Sequence, residues 1–157
     1  MKRFLVVGFF YATVLLGCKN NAVVDTFKPI ANQEWRYIDT VSVDVPVEDT
    51  SRFYNVYLNV RHTGAYAYRN LYVRLHLYSP TGETGTQTVS FNLADPAGKW
   101  LGKGLGDLHE SKILWREAAK FTSVGKYRVV IEQFMREDPL PGISDVGLLV
   151  EYAEAIE

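Results

Sequence analysis

The residues Leu71-Tyr72-Val73-Arg74-Leu75-His76-Leu77-Tyr78 alternate strictly between aliphatic side chains and larger polar or aromatic ones. Successive side chains of a β-strand point to opposite faces, so this period of two predicts a strand with one buried face. The aliphatic set is expected to face a core. The outward set consists of Tyr72, Arg74, His76 and Tyr78.

The same period recurs on both sides of this strand. It appears at residues 41–45, 54–61, 89–93, 127–131 and 146–152, and turn-forming Pro, Gly and Asp residues separate the runs. About six or seven short strands with spaced turns are typical of antiparallel sandwiches. The sequence therefore predicts an all-β fold, an antiparallel β-sandwich of the jelly-roll or Ig-like kind, with at most one short helix.

Two local patterns refine this prediction. Residues 111–120 (SKILWREAAK) are amphipathic and form the best helix candidate. The spacing of Phe121, Gly125 and Tyr127 is similar to a tyrosine corner, in which a Tyr opens a late strand of a sandwich. We therefore expect Tyr127 to begin a strand close to its own preceding turn.

Composition excludes several classes of protein. The chain has 157 residues, 17 Lys and Arg against 18 Asp and Glu, and 47% hydrophobic residues. A nearly balanced charge provides no basic surface for nucleic acid, and the apolar content is too high for a disordered chain. The single cysteine excludes an intrachain disulfide and a Cys-based zinc cluster.

The N-terminus has the organisation of a secretion signal. Lys2 and Arg3 precede an uncharged apolar run over residues 4–16, which is too short to span a membrane. Leu15-Leu16-Gly17-Cys18 then resembles a bacterial lipobox, in which the Cys is lipidated and the chain is cut before it. We predict a signal peptide over 1–17, a lipidated tether over 18–32 and a sandwich domain over 33–157. No Asp follows Cys18, so we expect an outer-membrane lipoprotein that faces the periplasm.

No motif predicts catalysis, a cofactor or a metal site. The glycines of residues 102–106 are followed by Asp107 and Glu110, which would repel phosphate, so a tight loop is the better interpretation. His62, His76 and His109 are scattered without metal-ligand spacing, and His76 is expected to be solvated or hydrogen-bonded. No acid pair or nucleophile motif stands out, so we predict a protein that is not an enzyme.

Aromatic residues are the unusual feature. Tyr and Trp side chains stack on sugars or anchor protein interfaces, but they also pack sandwich cores. Consecutive strands usually pair, so the strands around Val56 and Leu75 are expected to be neighbours. The resulting outer surface is a candidate binding site unless a helix or loop covers it. Its candidate residues are Tyr57, Arg61, Tyr66, Tyr68, Arg69, Tyr72, Arg74, His76 and Tyr78, with Trp100 in the Gly-rich loop.

Six short strings in register resemble the GldH family of gliding-motility lipoproteins of Bacteroidetes. They are Arg61-His62-Thr63, Tyr68-Arg69-Asn70-Leu71-Tyr72, residues 98–107 (GKWLGKGLGD), Gly125-Lys126-Tyr127, Gln133-Phe134-Met135-Arg136 and residues 142–147 (GISDVG). The resemblance implies an outer-membrane lipoprotein of the gliding machinery, tied to type IX secretion, without catalytic residues. Cys18 is the one functional residue it carries over.

Three functions remain open from the sequence. The first is a lipid-anchored protein that binds other envelope or gliding-machinery proteins. The second is a periplasmic or surface carbohydrate-binding module that uses exposed Tyr and Trp, with a glycan as its partner. The third is an enzyme on glycans, which would need two acids facing each other across a cleft.

Overall fold

The computed structural model describes residues 21–154, so the signal peptide expected over 1–17 and the lipidation site Cys18 lie outside the described residues. The described chain is built from strands and one short 3-10 helix, Ala31–Gln33. The strands are β1 (Ala22–Asp25), β2 (Lys28–Pro29), β3 (Glu34–Trp35), β4 (Val41–Val47), β5 (Tyr54–His62), β6 (Asn70–Tyr78), β7 (Thr84–Asn92), β8 (Lys103–Leu105), β9 (Leu108–Ala119), β10 (Gly125–Gln133), β11 (Leu140–Pro141) and β12 (Ile143–Tyr152).

Two antiparallel sheets face each other across the core. The six-stranded sheet has the order β1-β12-β5-β9-β8, with β2 also paired to β12, and the four-stranded sheet has the order β4-β10-β6-β7. A small two-stranded ladder joins β3 and β11. This arrangement confirms the all-β, antiparallel sandwich prediction.

The period of two correctly predicted which side chains are buried. β4 alternates between buried and exposed residues along its whole length. On β6, Leu71, Val73 and Leu75 are almost completely buried, whereas Tyr72 is 44% exposed. Leu58, Val60, Val146 and Leu148 from the six-stranded sheet complete the core. Burial of such side chains on both sheets is the main force that holds the sheets together.

The helix candidate at residues 111–120 is wrong, because this segment belongs to β9. β9 pairs with β5 over most of its length, with Ile113 opposite Leu58. The register shifts near Val56, and Ala118 adopts a φ of 47° while its N–H donates to Asn55 Oδ1 at 3.0 Å. This irregularity breaks the alternation, and the broken pattern imitates a helical period. Pairing with a central strand outweighs a weak local preference.

The expected pairing of the strands around Val56 and Leu75 is also wrong. β5 lies between β12 and β9 in one sheet, and β6 lies between β10 and β7 in the other. The connection over residues 63–69 therefore crosses from one sheet to the other. The N–H of Thr63 donates to Gly142 O at 2.8 Å, and Tyr66 is buried beside this crossing.

Part of the segment expected to be a tether, 18–32, pairs with the six-stranded sheet. Ala22–Asp25 pairs with Leu149, Val150 and Glu151 of β12, and β2 pairs with Val146 and Asp145. Because these ladders lie within the six-stranded sheet, the folded domain already includes residues that the sequence assigned to the tether.

Two turn predictions are confirmed. The hydroxyl of Tyr127 accepts a hydrogen bond from the N–H of Ser123 at 3.2 Å, which is the contact that defines a tyrosine corner. The glycine-rich residues 102–106 form β8 and the tight turn into β9, where Gly106 has a φ of 64°. A positive φ favours glycine, so no phosphate loop is needed to explain this segment.

Candidate binding surface

The candidate binding residues divide between the two outer faces of the sandwich, because β5 and β6 belong to different sheets. Tyr57 and Arg61 lie on β5 of the six-stranded sheet. Tyr72, Arg74, His76 and Tyr78 lie on β6 of the four-stranded sheet. The single surface expected from the sequence is therefore two surfaces, and each must be judged by its own contacts.

On the six-stranded sheet, Arg61 and Tyr57 contact neighbouring side chains through an ion pair and through cations that lie over rings. Arg61 pairs with Glu110 at 2.8 Å, and its Cζ lies 3.8 Å from the ring centroid of Phe27. Lys112 Nζ lies 4.1 Å from the ring centroid of Tyr57. These contacts stabilise the sheet locally and leave little of either side chain for a partner.

Tyr66 and Trp100 lie in a packed aromatic cluster. Tyr66 is 1% exposed, and its hydroxyl donates to Asn70 O at 2.7 Å. Burial raises the pKa of Tyr66 far above its usual value, so the hydroxyl stays protonated. Trp100 packs edge-on against His62 with ring centroids 4.3 Å apart. The packing interpretation fits both residues, so Tyr66 and Trp100 do not belong to an exposed binding surface.

The outer face of the four-stranded sheet carries the exposed rings. Tyr72 and Tyr78 are each 44% exposed, and Tyr68 is 37% exposed at the edge of this sheet. The segment after β10 lies over part of this face, and these rings stay partly exposed within residues 21–154. Arg69 is also exposed, in the connection that precedes β6.

A shallow depression of about 990 Å³ lies on this outer face. Its lining includes Tyr37, Tyr68, Tyr72, Phe134 and Met135. We call this depression and the β6 residues beside it the aromatic face. The size is within the usual range of ligand sites, but the depression is open rather than enclosed.

Backbone and side-chain contacts hold the aromatic face in place. The hydroxyl of Tyr37 donates to Met135 O at 3.3 Å, and the hydroxyl of Tyr68 donates to Glu137 Oε2 at 2.7 Å. The hydrogen bond to Glu137 raises the pKa of Tyr68, because it stabilises the protonated phenol beside a carboxylate. Rings that are fixed before binding lose less conformational entropy when a partner arrives.

Charged groups on the aromatic face are partly paired. Arg74 Nη1 lies 3.6 Å from Glu132 Oε1, and His76 Nε2 lies 3.1 Å from Glu132 Oε2. The other ring nitrogen of His76 lies 3.1 Å from Thr86 Oγ1, so of the two states expected for His76, solvated or hydrogen-bonded, the ring adopts the hydrogen-bonded one. Partly exposed pairs of this kind contribute only about 0–1 kcal/mol to folding. About a third of the Arg74 side chain stays exposed beside this pair.

Tyr37, Phe134 and Met135 belong to the aromatic face, but the strand periodicity did not predict them. Tyr37 follows β3 in a turn, and Phe134 and Met135 follow the end of β10, so no alternation assigns their faces. The string Gln133-Phe134-Met135-Arg136 was a usable signal, since it was one of the segments that carried the family resemblance.

The described residues contain no group of His, Cys, Asp and Glu side chains arranged to hold a metal ion. Among residues 21–154, no helix is long and apolar enough to cross a membrane.

Comparison with known proteins agrees with the family resemblance. The family model described as GldH lipoprotein matches residues 22–150. The chain is 34% identical over 147 residues to the gliding motility lipoprotein GldH of Flavobacterium johnsoniae, with 89% of this chain and 91% of that protein covered. It is 32% identical over 163 residues to a gliding motility lipoprotein GldH homolog of Christiangramia forsetii, with 98% and 99% covered. No solved structure matches the chain. Because the match spans the whole described sandwich, the chain belongs to the GldH lipoprotein family.

Proposed function

We propose that this protein is a non-enzymatic outer-membrane lipoprotein that faces the periplasm and binds other envelope proteins of the gliding and type IX secretion machinery. Membership of a lipoprotein family supports the envelope location, and the lipobox supports Cys18 as the lipidated residue. Several acyl chains on one cysteine are enough for stable membrane attachment.

The single observation that carries the binding role is the aromatic face. Tyr and Arg are enriched at interface hot spots, because they bury a large area and keep a polar group satisfied. Here Tyr72 and Arg74 of β6 and Phe134, which follows β10, are exposed or half-buried on one outer face, with Tyr37 and Tyr68 beside them.

Site-specific photo-crosslinking tests this proposal. A benzophenone amino acid placed at Tyr72 in the native envelope is expected to capture a defined protein, which mass spectrometry identifies. The same group at Tyr57, on the opposite sheet, is the matched control and is expected to capture that protein far less. Two results would contradict the assignment of the interface to the aromatic face. One is equal capture of the protein from positions 72 and 57, and the other is capture at position 72 of only those proteins that position 57 also captures.

A double variant separates binding from folding. Tyr72→Ser with Arg74→Ser is expected to abolish capture of the partner from a neighbouring site, while the thermal melt stays unchanged because both side chains are outward. A collapse of the melt in step with the loss of capture would show that the face is structural.

A carbohydrate-binding role is the second candidate, because the depression presents the rings of Tyr37, Tyr68, Tyr72 and Phe134 together. Rings around an open depression can stack on sugars as well as on protein side chains. A glycan array with the wild type and the double variant distinguishes the two functions. Specific glycan binding that the variant loses would favour this second candidate over the protein-binding proposal.

A further inference from the structure

A second cavity, of about 450 Å³, lies between the two sheets at one end of the sandwich. The four-stranded sheet contributes Val45, Leu75 and Leu77 to its wall, and the six-stranded sheet contributes Val56 and Val150. Phe121 and Tyr127 line it from the turn and the start of β10. This cavity opens between the sheets and is separate from the aromatic face.

The sequence of β7 explains why the sandwich is not filled here. Along β7 the inward positions are Gly85, Gln87, Val89 and Phe91, opposite Leu77, Leu75, Val73 and Leu71 of β6. Val89 and Phe91 pack into the core, but Gly85 has no side chain and a Cβ added there would meet no atom within 4 Å. Sandwich interiors are normally close-packed, so an apolar space of this size is unusual.

The opening of the cavity is polar and is bridged by one side chain. Gln87 Oε1 accepts a hydrogen bond from Trp115 Nε1 at 3.4 Å and another from Arg116. Lys120 and Glu83 also line the cavity. The opening therefore carries two cationic side chains, Arg116 and Lys120, and one carboxylate, Glu83. An apolar interior with a net positive opening is complementary to an amphiphile with an alkyl chain and an anionic headgroup.

The cavity lies near the end of the domain at which the chain leaves toward its anchor. Asn21 O accepts a hydrogen bond from Tyr152 N at 3.0 Å. Tyr152 packs on Tyr54 with ring centroids 5.2 Å apart, and Tyr54 packs on Phe121 of the cavity wall at 5.0 Å. Two residues lie between Cys18 and Asn21, and the three residue steps that join them extend over at most about 10 Å. A lipidated Cys18 would therefore hold this end of the sandwich close to the membrane surface.

We propose that the inter-sheet cavity binds one acyl chain of a membrane lipid, with its anionic headgroup at Arg116 and Lys120. The proposal rests on the membrane anchoring proposed above. Charge favours a membrane lipid over the protein's own anchor, because the acyl chains on a lipidated cysteine bring no anionic headgroup to the opening. Binding would require the Gln87 side chain to release Trp115 and Arg116, after which Arg116 contacts the headgroup.

The test uses the full-length lipidated protein in detergent with a palmitic acid that carries a diazirine on its chain. After irradiation, the labelled peptides are mapped by mass spectrometry. Label is expected on the peptides that contain Leu77, Trp115 and Phe121. Gly85→Leu fills the cavity and is expected to reduce this labelling at least about tenfold. Ser90→Leu, an outward position on the same strand, is the matched control and is expected to keep it.

Two further variants keep the proposal testable. Ala119→Leu is the second cavity-filling change if Gly85→Leu fails to fold, because Ala119 also lines the cavity, and it is expected to reduce the labelling as well. Arg116→Gln is expected to weaken labelling by the acid but not by the uncharged hexadecanol analogue. Tyr72→Ser with Arg74→Ser is expected to keep full labelling, so loss of partner binding and loss of lipid binding are distinguishable.

Two results would overturn the proposal. The first is cavity-peptide labelling that Gly85→Leu and Ala119→Leu leave unchanged. The second is wild-type labelling no higher than that of an unrelated lipoprotein in the same detergent, which would mean that the cavity is closed or is filled by the protein's own anchor.

Discussion

The guanidinium carbon of Arg74 lies 3.9 Å from the ring centroid of Phe134, and this contact joins the middle of β6 to the segment that follows β10. A cation above a ring at an exposed site contributes about 0.5–1 kcal/mol. Phe134→Leu is therefore expected to lower the free energy of unfolding by no more than that, measured by urea denaturation. When Phe134→Leu is combined with the benzophenone amino acid at position 72, capture of the partner is expected to fall strongly. A loss of stability well above this range would mean that Phe134 is part of the core.

The second prediction compares the two faces of β6. Leu75 is 1% exposed, whereas Arg74 points outward toward Glu132. Leu75→Ala is expected to lower the free energy of unfolding by about 2–5 kcal/mol, because it removes buried methyl groups. Arg74→Ala is the control and is expected to cost less than about 1 kcal/mol. Equal losses in denaturant melts would contradict the assignment of the faces.

The third prediction concerns the tyrosine corner. Tyr127→Phe removes the hydroxyl that accepts the hydrogen bond from the N–H of Ser123. It is expected to lower the free energy of unfolding by about 0.5–1.5 kcal/mol, the usual net contribution of one hydrogen bond. Tyr78→Phe, at a side chain that is 44% exposed, is the control and is expected to change little. A Tyr127→Phe protein as stable as the wild type would show that the corner does not stabilise the fold.

The fourth prediction concerns acid sensitivity at His62. The ring is fully buried against Trp100 and His109, and its Nε2 has no hydrogen-bond partner among residues 21–154. Burial lowers the pKa of His62, with His109 adding to this effect, while the Thr63 carbonyl and Asp107 oppose it.

Because the folded state resists protonation, stability that is present above the ordinary histidine pKa of 6.5 is lost as pH falls from that value to the lower pKa of the folded state. The wild type is therefore expected to lose stability between about pH 7.5 and about pH 5, measured by urea denaturation. His62→Phe is expected to lose less over the same range. An unchanged pH dependence in His62→Phe would exclude His62 as its source.

The fifth prediction concerns the anchor. Cys18→Ala is expected to block lipidation and the cut before residue 18, because formation of the thioether precedes that cut in lipobox processing. Detergent phase partitioning and intact mass measure the two effects. Ser51→Ala, at an exposed hydroxyl of the domain, is expected to be processed normally. A mutant with the wild-type mass and membrane fraction would contradict the role of Cys18.

Much of the fold could be predicted from local pattern alone. The alternation around Leu75 and along β4 identified strands and buried faces, because period-two patterning needs no information about distant partners. The spacing of Gly125 and Tyr127 predicted the tyrosine corner for the same reason, since that contact closes within five residues. The outward position of Tyr72 and Arg74 also followed from the sequence.

Strand partners and surface composition depended on tertiary structure. Nothing within β5 or β6 shows that they belong to opposite sheets; long-range pairing of β5 with β12 and of β6 with β10 decided it. Pairing with β5 likewise made a strand of residues 111–120, although the segment is amphipathic by itself. Tyr66 and Tyr72 have the same chemistry in the sequence, yet one is buried and the other exposed, because burial depends on what the rest of the chain places around a ring.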